Sequence, residues 1–265
     1  MRILKSEEYF DTDIELKIFD QEHQSDLEVH SHEFSELIFF VEGSGSHLID
    51  DYQKVILPNT VSFVSPNHYH QYANSHQVRL FNVLYNKDTL GLRPHCIETL
   101  NSLESSSMHR HFEPECFNQL VNLVKQIQAE LNNREKHSLD IIKLLFEQLI
   151  YLIDRNNLSV EDRSPVIDAI RYISEHYKEH DLNIGYVCNK FEINSRTLSN
   201  KINQLTGLST NKFLNQLRIC KAISLIEKGH SITEVSYMVG YNDSNYFSTK
   251  FKSVTGKSPS HYIVD

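Results

Sequence analysis

Between about residues 14 and 85 the chain is a series of short apolar runs, "ELIFFVEG", "SHLIDD", "KVILPNTVSFVSP" and "VRLFNVLY", cut apart by Gly, Pro, Asn and Asp. Runs this short, rich in β-branched and aromatic residues, predict strands. Several in succession predict an all-β domain, sandwich or barrel. The period then changes. After a weakly patterned stretch, Phe117, Leu120, Val121, Val124, Ile127 and Leu131 recur at helical spacing over 114–132, and Ile141, Leu144, Leu145, Leu149 and Leu152 do so over 138–153. Two amphipathic helices are expected, covering the β core or forming a dimer seam, since one apolar pattern serves either purpose. "DRNNLSVEDRS" (154–164) is polar and aperiodic and reads as a linker. Ser164 and Pro165 are residue types of an N-cap and a first helical position; the helix they open has Val166, Ile167, Ile170, Ile173 and Tyr177 on its apolar face.

The last hundred residues repeat themselves with a period near 48. Ile184, Val187, Phe191 and Ile193 match Ile232, Val235, Val239 and Tyr241; after a one-residue insertion, Leu198, Ile202, Leu205 and Gly207 match Phe247, Phe251, Val254 and Gly256. Each copy predicts a short helix, a tight turn and a second helix stopped by glycine, the helix-turn-helix plan whose second helix enters a DNA major groove. Leu198, Ile202 and Leu205 hold down that helix in the first copy, which leaves Arg196, Ser199, Asn200, Lys201 and Gln204 pointing away. In the second copy Phe247, Phe251 and Val254 do the holding and the aromatics serve as core, leaving Asn245, Ser248, Thr249 and Lys252 outside. These side chains can hydrogen-bond base edges and phosphates. The segment between the copies, "STNKFLNQLRICKAISLIEKG", predicts a helix of roughly 30 Å, close to the ~34 Å between successive major-groove faces.

At "ITEVSYMVGYNDSNYFSTKFKSVTGKSPSHY" the chain resembles the AraC/XylS family of bacterial transcription regulators, a resemblance extending over 165–262. Gly240-Tyr241, Tyr246-Phe247, Phe251-Lys252, Gly256 and Ser258-Pro259 stand where that family has them, as do Arg218 and Ala222 in the linking helix. Cys188, Ser236 and Ile263 depart from it; an arginine often stands at the last position. The resemblance implies sequence-specific binding to promoter or operator DNA under control of a small-molecule effector. It favours activation through contact with RNA polymerase, and makes a homodimer plausible.

Charge supports the division. The net charge of −9 hides −12 over residues 1–163 (14 Lys+Arg, 26 Asp+Glu) and +3 over 164–265 (12 and 9). A mildly basic half can meet DNA if its charge is focused on one face. No apolar run approaches the ~18 residues of a membrane span, and "MRILKSEEYF" lacks the features of a signal peptide. A cytoplasmic protein without membrane attachment is expected. The scattered Cys96, Cys116, Cys188 and Cys220 suggest buried small hydrophobes rather than disulfides.

The β half carries its own chemistry. "HSHEFSELIFFVEG" places His30, His32 and Glu36 ahead of Gly43, and "SPNHYHQY" supplies His70 four residues after Pro66. Residues 30, 32 and 36 share parity and would face one side of a strand. The pattern resembles the cupin barrel, although the second motif is shortened and lacks its glycine. With the run "RLFNVLYNK" (79–87), this half looks most like regulators of rhamnose catabolism. Three readings stand side by side: His30, His32, Glu36 and His70 as an effector pocket for a sugar or sugar acid, the same residues as metal ligands, or a structural polar network. His47 and His68 are weaker candidates.

The expected fold is therefore α+β. A cupin-like barrel with its helical pair occupies 1–153 and senses the effector, a linker spans 154–164, and an all-α double helix-turn-helix domain fills 165–265. No cofactor and no enzyme activity are expected. The alternative is a metal-dependent cupin enzyme fused to a DNA-binding module.

Overall fold

The computed structural model describes residues 2–10, 13–25, 27–50, 52–106, 109–156 and 164–263. The chain divides into two compact units, with the break between 156 and 164; most of the expected linker lies outside the described residues.

The first unit runs β1 (Arg2–Leu4), α1 (Ser6–Tyr9), β2 (Leu16–Gln24), β3 (Leu27–His32), β4 (Ser35–Ile49), β5 (Tyr52–Ile56), β6 (Thr60–Val64), β7 (His70–Tyr85), α2 (Pro94–Ser106), β8 (His109–His111), α3 (Pro114–Asn133) and α4 (Ser138–Arg155). Its sheet has the order β1-β3-β7-β4-β6-β8, with β2 also on β7 and β5 also on β4. Two long strands govern the shape. β4 and β7 pair antiparallel from Ser35↔Tyr85 to Ile49↔His70, with register shifts between Phe40 and Ser46 that curl the sheet. Alternation along β4 then separates two cores. Ile38 and Phe40 join Ile56, Tyr72 and Leu80 inside the curl, while Leu37 and Phe39 pack outward against Leu100 of α2, Phe117 and Val124 of α3 and Phe146 of α4. Of the sandwich or barrel that the strand runs allowed, the sheet is a half-barrel, and the two expected helices, together with α2, cover its outer side.

Two details differ from expectation. The weakly patterned stretch contains α2, which buries Cys96, Leu100 and Leu103. The core face of α4 is Ile142, Phe146, Leu149, Ile150 and Ile153; Ile141 and Leu144 are exposed, at 37% and 61%, and only Leu149 of the predicted stripe is buried. The helix is apolar on more than one side, so periodicity alone could not select the face that meets the sheet.

The second unit runs α5 (Pro165–His176), α6 (Ile184–Lys190), α7 (Ser195–Thr206), α8 (Thr210–Glu227), α9 (Ile232–Met238) and α10 (Ser244–Thr255), then a 3-10 turn at Pro259–Tyr262. α6 and α7 recur as α9 and α10 at offsets of 48 and 49 residues. The inserted residue lies in the second turn, Val239–Asp243. Local chemistry sets each boundary: Asn183, Asn194 and Asp243 accept from backbone N–H groups of the helices they precede, and Ser231 with Glu234 forms a capping box. Around α8, Ile219, Ala222 and Ile226 pack with Val235, Val239, Tyr241, Phe247 and Phe251.

The two turns are unequal in strain. Gly240 has φ of +92°, and a Cβ there would fall 2.8 Å from Lys178 O and 2.9 Å from Tyr177 O. Its counterpart in the first copy, Glu192, adopts φ of 53° with a side chain. We expect Gly240→Ala to lower unfolding free energy by about 2 kcal/mol or more, from left-handed strain plus the clash. Glu192→Gly should stay within about 1 kcal/mol of the wild type. Denaturant unfolding monitored in the second unit checks both; equal effects would remove the assigned role of the close approach.

Candidate functional site

In α7 the buried residues are Leu198, Ile202 and Thr206, with Leu205 half-buried. Arg196, Asn200 and Gln204 are exposed. Lys201 is half-buried, its Nζ donating to Gln204 Oε1 at 3.4 Å. Ser199 turns toward the start of α8, its Oγ 3.1 Å from Thr210 Oγ1. In α10, Phe247 and Phe251 are buried and Asn245, Thr249 and Lys252 are exposed. Ser248 Oγ donates to Ser244 O at 2.9 Å and Thr249 Oγ1 to Asn245 O at 3.0 Å. Such back-bonding fixes each hydroxyl and leaves its lone pairs outward.

Two sequence expectations fail at α10. Val254, the penultimate residue of α10, is 39% exposed and does not hold the helix down. Tyr246 is 54% exposed with Lys250 Nζ over its ring at 5.2 Å, so the aromatics are not all core. The polar outer faces nonetheless form two matched surfaces.

The β unit brings His32, Glu36 and His70 together, all buried, with one potential ligand atom of each within 4.8 Å of the others. Strand parity is not what aligns them. β3 ends at His32, the chain turns at Glu33-Phe34, and Glu36 belongs to β4. The β3–β7 pairing, with His30 opposite His70, supplies the third side chain. His32 Nε2 and His70 Nε2 each lie 3.5 Å from Glu36 Oε2. His30 stands beside them, half-buried, its ring centroid 4.3 Å from that of His70 and its Nδ1 3.0 Å from Glu28 O. His68 is elsewhere, paired with Asp50 at 2.5 Å.

Behind this cluster are groups that sequence reasoning ranked low or missed. His70 Nδ1 meets His47 Nε2 at 3.1 Å, and His47 Nδ1 meets His109 Nε2 at 3.0 Å. His109 sits on the three-residue β8, opposite Ser62. Only a strand at "HRH", following a helix nobody would read from its sparse apolar pattern, could have signalled it. Burial, and after it His109, holds His47 well below the ordinary imidazole value. Burial pushes His70 down to about 3 against the pull of Glu36, so this ring is neutral near pH 7. Burial alone would raise the Glu36 carboxyl; the His32 contact leads the groups that outweigh it, and the carboxyl is held below the ordinary glutamate value.

His30, His32 and Glu36 form part of the wall of a cavity of about 850 Å³. Among the other wall residues are the rings of Tyr9, Phe19 and Phe34, aliphatic side chains such as Leu27 and Leu84, and the polar Arg2, Gln21, Gln24, Glu28 and Asn82. Tyr9 and Phe34 are 5.4 Å apart between centroids, and the Phe34 ring stacks on His32 at 4.8 Å. His70 stands behind the wall. The cavity therefore offers apolar faces and several hydrogen-bonding groups to one small molecule.

Residues 15–149 match the AraC-like ligand binding domain and residues 187–263 the helix-turn-helix domain. The HTH-type transcriptional activator RhaR of Salmonella arizonae is 26% identical over 98% of this chain and 95% of its own length, and that of Salmonella typhimurium matches at the same values. Among solved structures, apo ToxT from Vibrio cholerae is 17% identical with a TM-score of 0.37, covering 96% of this chain and 98% of that one. With the ligand-binding match spanning just over half of its length and a double helix-turn-helix following, the chain belongs to the AraC family of effector-controlled, DNA-binding transcription regulators.

Proposed function

We propose that the chain is a transcriptional activator whose half-barrel takes a neutral saccharide or sugar acid. The observation that carries this reading is the cavity wall. Tyr9, Phe19 and Phe34 suit the C–H faces of a sugar ring; His30, His32, Glu36 and the amides suit its hydroxyls; Arg2 suits a carboxylate. The relatives described as transcriptional activators RhaR support the direction of control. In this reading 1–153 senses and dimerises, 154–164 links, and 165–265 reads DNA in the cytoplasm, with effector occupancy changing how RNA polymerase is engaged. No helix among the described residues is long and apolar enough to cross a membrane. The relatives are regulators, which favours this reading over a fused enzyme.

Thermal unfolding of the full chain against a panel of sugars and sugar acids tests the pocket. A ligand at 100 times its Kd should stabilise by about 2.7 kcal/mol, and His30→Ala should weaken it roughly tenfold. A panel without a single stabilising compound would sink the saccharide class.

At the DNA face, Arg196, Ser199, Asn200, Lys201 and Gln204 of α7 and Asn245, Ser248, Thr249 and Lys252 of α10 are the proposed contacts. Asn200→Ala or Thr249→Ala should relax preference at particular bases by about 1–3 kcal/mol, whereas Lys252→Ala should weaken all sequences alike and reduce the salt slope by about one. Binding-site selection and salt titration check this; three unchanged profiles would mean that another face meets DNA.

The exposed Ile141 and Leu144 of α4 favour a homodimer through that helix. Leu144→Glu should shift the protein to monomers in sedimentation equilibrium while its far-UV circular dichroism stays that of the folded wild type. A variant that remains dimeric would place the interface elsewhere.

A further inference from the structure

His32 Nε2, Glu36 Oε2 and His70 Nε2 are buried and make no hydrogen bond among the described residues. They nevertheless point at one another, with both N···O separations at 3.5 Å. Buried polar atoms are almost always satisfied, so three orphans at one point call for a common partner.

In the neutral rings the tautomer is readable from what holds the opposite side of each. Phe34 O lies 2.5 Å from His32 Nδ1. A carbonyl oxygen only accepts, so Nδ1 carries the hydrogen and, in the neutral ring, Nε2 presents its lone pair to Glu36. For His70 the row of imidazoles can run with His70 Nδ1–H donating to His47 Nε2 and His47 Nδ1–H donating to His109 Nε2. That direction leaves the His70 Nε2 lone pair facing the same carboxylate oxygen. In these neutral tautomers two nitrogen lone pairs and one carboxylate oxygen face one another with no hydrogen between them, an arrangement that a cation would satisfy.

The spacing indicates which cation. A charge-assisted N–H···O bond would draw nitrogen and oxygen to about 2.7–2.9 Å, well inside the observed separations. Two donors each ~2.1 Å from one ion at a tetrahedral angle lie about 3.4 Å apart, which is what both pairs show. Two imidazoles and a carboxylate suit a first-row transition metal rather than the all-oxygen shells of calcium or magnesium. Phe34 O and His47 occupy the outer positions that orient ligating imidazoles.

We propose that His32, Glu36 and His70 hold one divalent first-row transition-metal ion at the inner wall of the cavity, with open coordination positions for an oxygen donor. His30 lies outside this set and lines the cavity, where it would touch whatever fills those positions. Only the identity of that oxygen donor rests on the saccharide reading above.

The test uses the full chain, stripped with a chelator, freed of it and titrated with Co²⁺ alone, following visible d–d absorption and calorimetry. One ion per chain is expected, with affinity falling about 100-fold or more in Glu36→Gln and in His70→Gln and staying within about threefold in His30→Gln. A wild-type chain that takes up no Co²⁺, Zn²⁺ or Mn²⁺ overturns the proposal; so does Co²⁺ binding unchanged by Glu36→Gln, which would place the ion elsewhere. Should the variants fail to fold, pulsed EPR of Cu²⁺ bound to the wild type decides: couplings to two imidazoles support the site, and none or one overturns it. Saccharide affinity is measured separately with and without Co²⁺. Sugar binding together with failed metal uptake overturns the metal site and leaves the pocket reading intact. Metal bound at these residues without sugar binding does the reverse.

Discussion

Arg218 lies in the middle of α8, buried, with Nε donating to Tyr177 O and an Nη donating to Glu179 O, each at 2.8 Å. Its guanidinium also lies over the Tyr241 ring at 5.2 Å, and the Tyr241 hydroxyl donates to Asn215 Oδ1 at 2.7 Å. One side chain thus fastens the end of α5, the long helix and the turn of the second helix-turn-helix. Hydrogen bonds to a charged group contribute about 1.5–3 kcal/mol each, and removing a partner from a buried charge costs more. Gly240 tightens the same junction from the other side by letting the turn reach the carbonyls of Tyr177 and Lys178. The second helices of the two units keep a fixed separation only if the helix between them is anchored, and neither helix pair is large enough to impose that by itself.

The sensor half solves a different problem. β4 is buried on both faces from Ser35 to Phe40, because helices cover its outer side and the curl closes over its inner side. Such a strand can be apolar throughout, and here it nearly is. Ser35 and Glu36 are the polar exceptions, and the neighbours of Glu36 are arranged around its charge: imidazoles at 3.5 Å on two sides rather than hydrocarbon. Stability alone would have favoured an apolar residue, since a buried ionic cluster seldom outdoes packed hydrocarbon. Two members of the cluster, His32 and Glu36, stand in the cavity wall.

Much of this was legible in the chain. The repeat, the helix-stopping glycines and the capping residues Asn194 and Asp243 are local signals, and local signals survive into structure because each cap or turn acts within a few residues. The strand runs were equally clear. What escaped was decided by long-range packing. The face of α4 that meets the sheet differs from the predicted stripe because Ile142, Phe146 and Ile153 compete with Ile141 and Leu144 for it. α2 has too few apolar positions to show a period. Strand parity does not explain the convergence of His32 with Glu36, since the strand breaks between them, and His109 reaches the row through the pairing of β8 with β6.

The row His70–His47–His109 has one further property. Each neutral imidazole carries a single hydrogen, so the row has a direction, and no bond in it can be reversed alone. If His70 Nε2 must donate to a bare carboxylate, every hydrogen in the row points toward Glu36; if it must coordinate, every one points away. The far end lies on β8, which continues through Phe112 and Glu113 into α3. What happens at Glu36 is therefore recorded, as the sense of a row of protons, in the strand from which the helical pair begins.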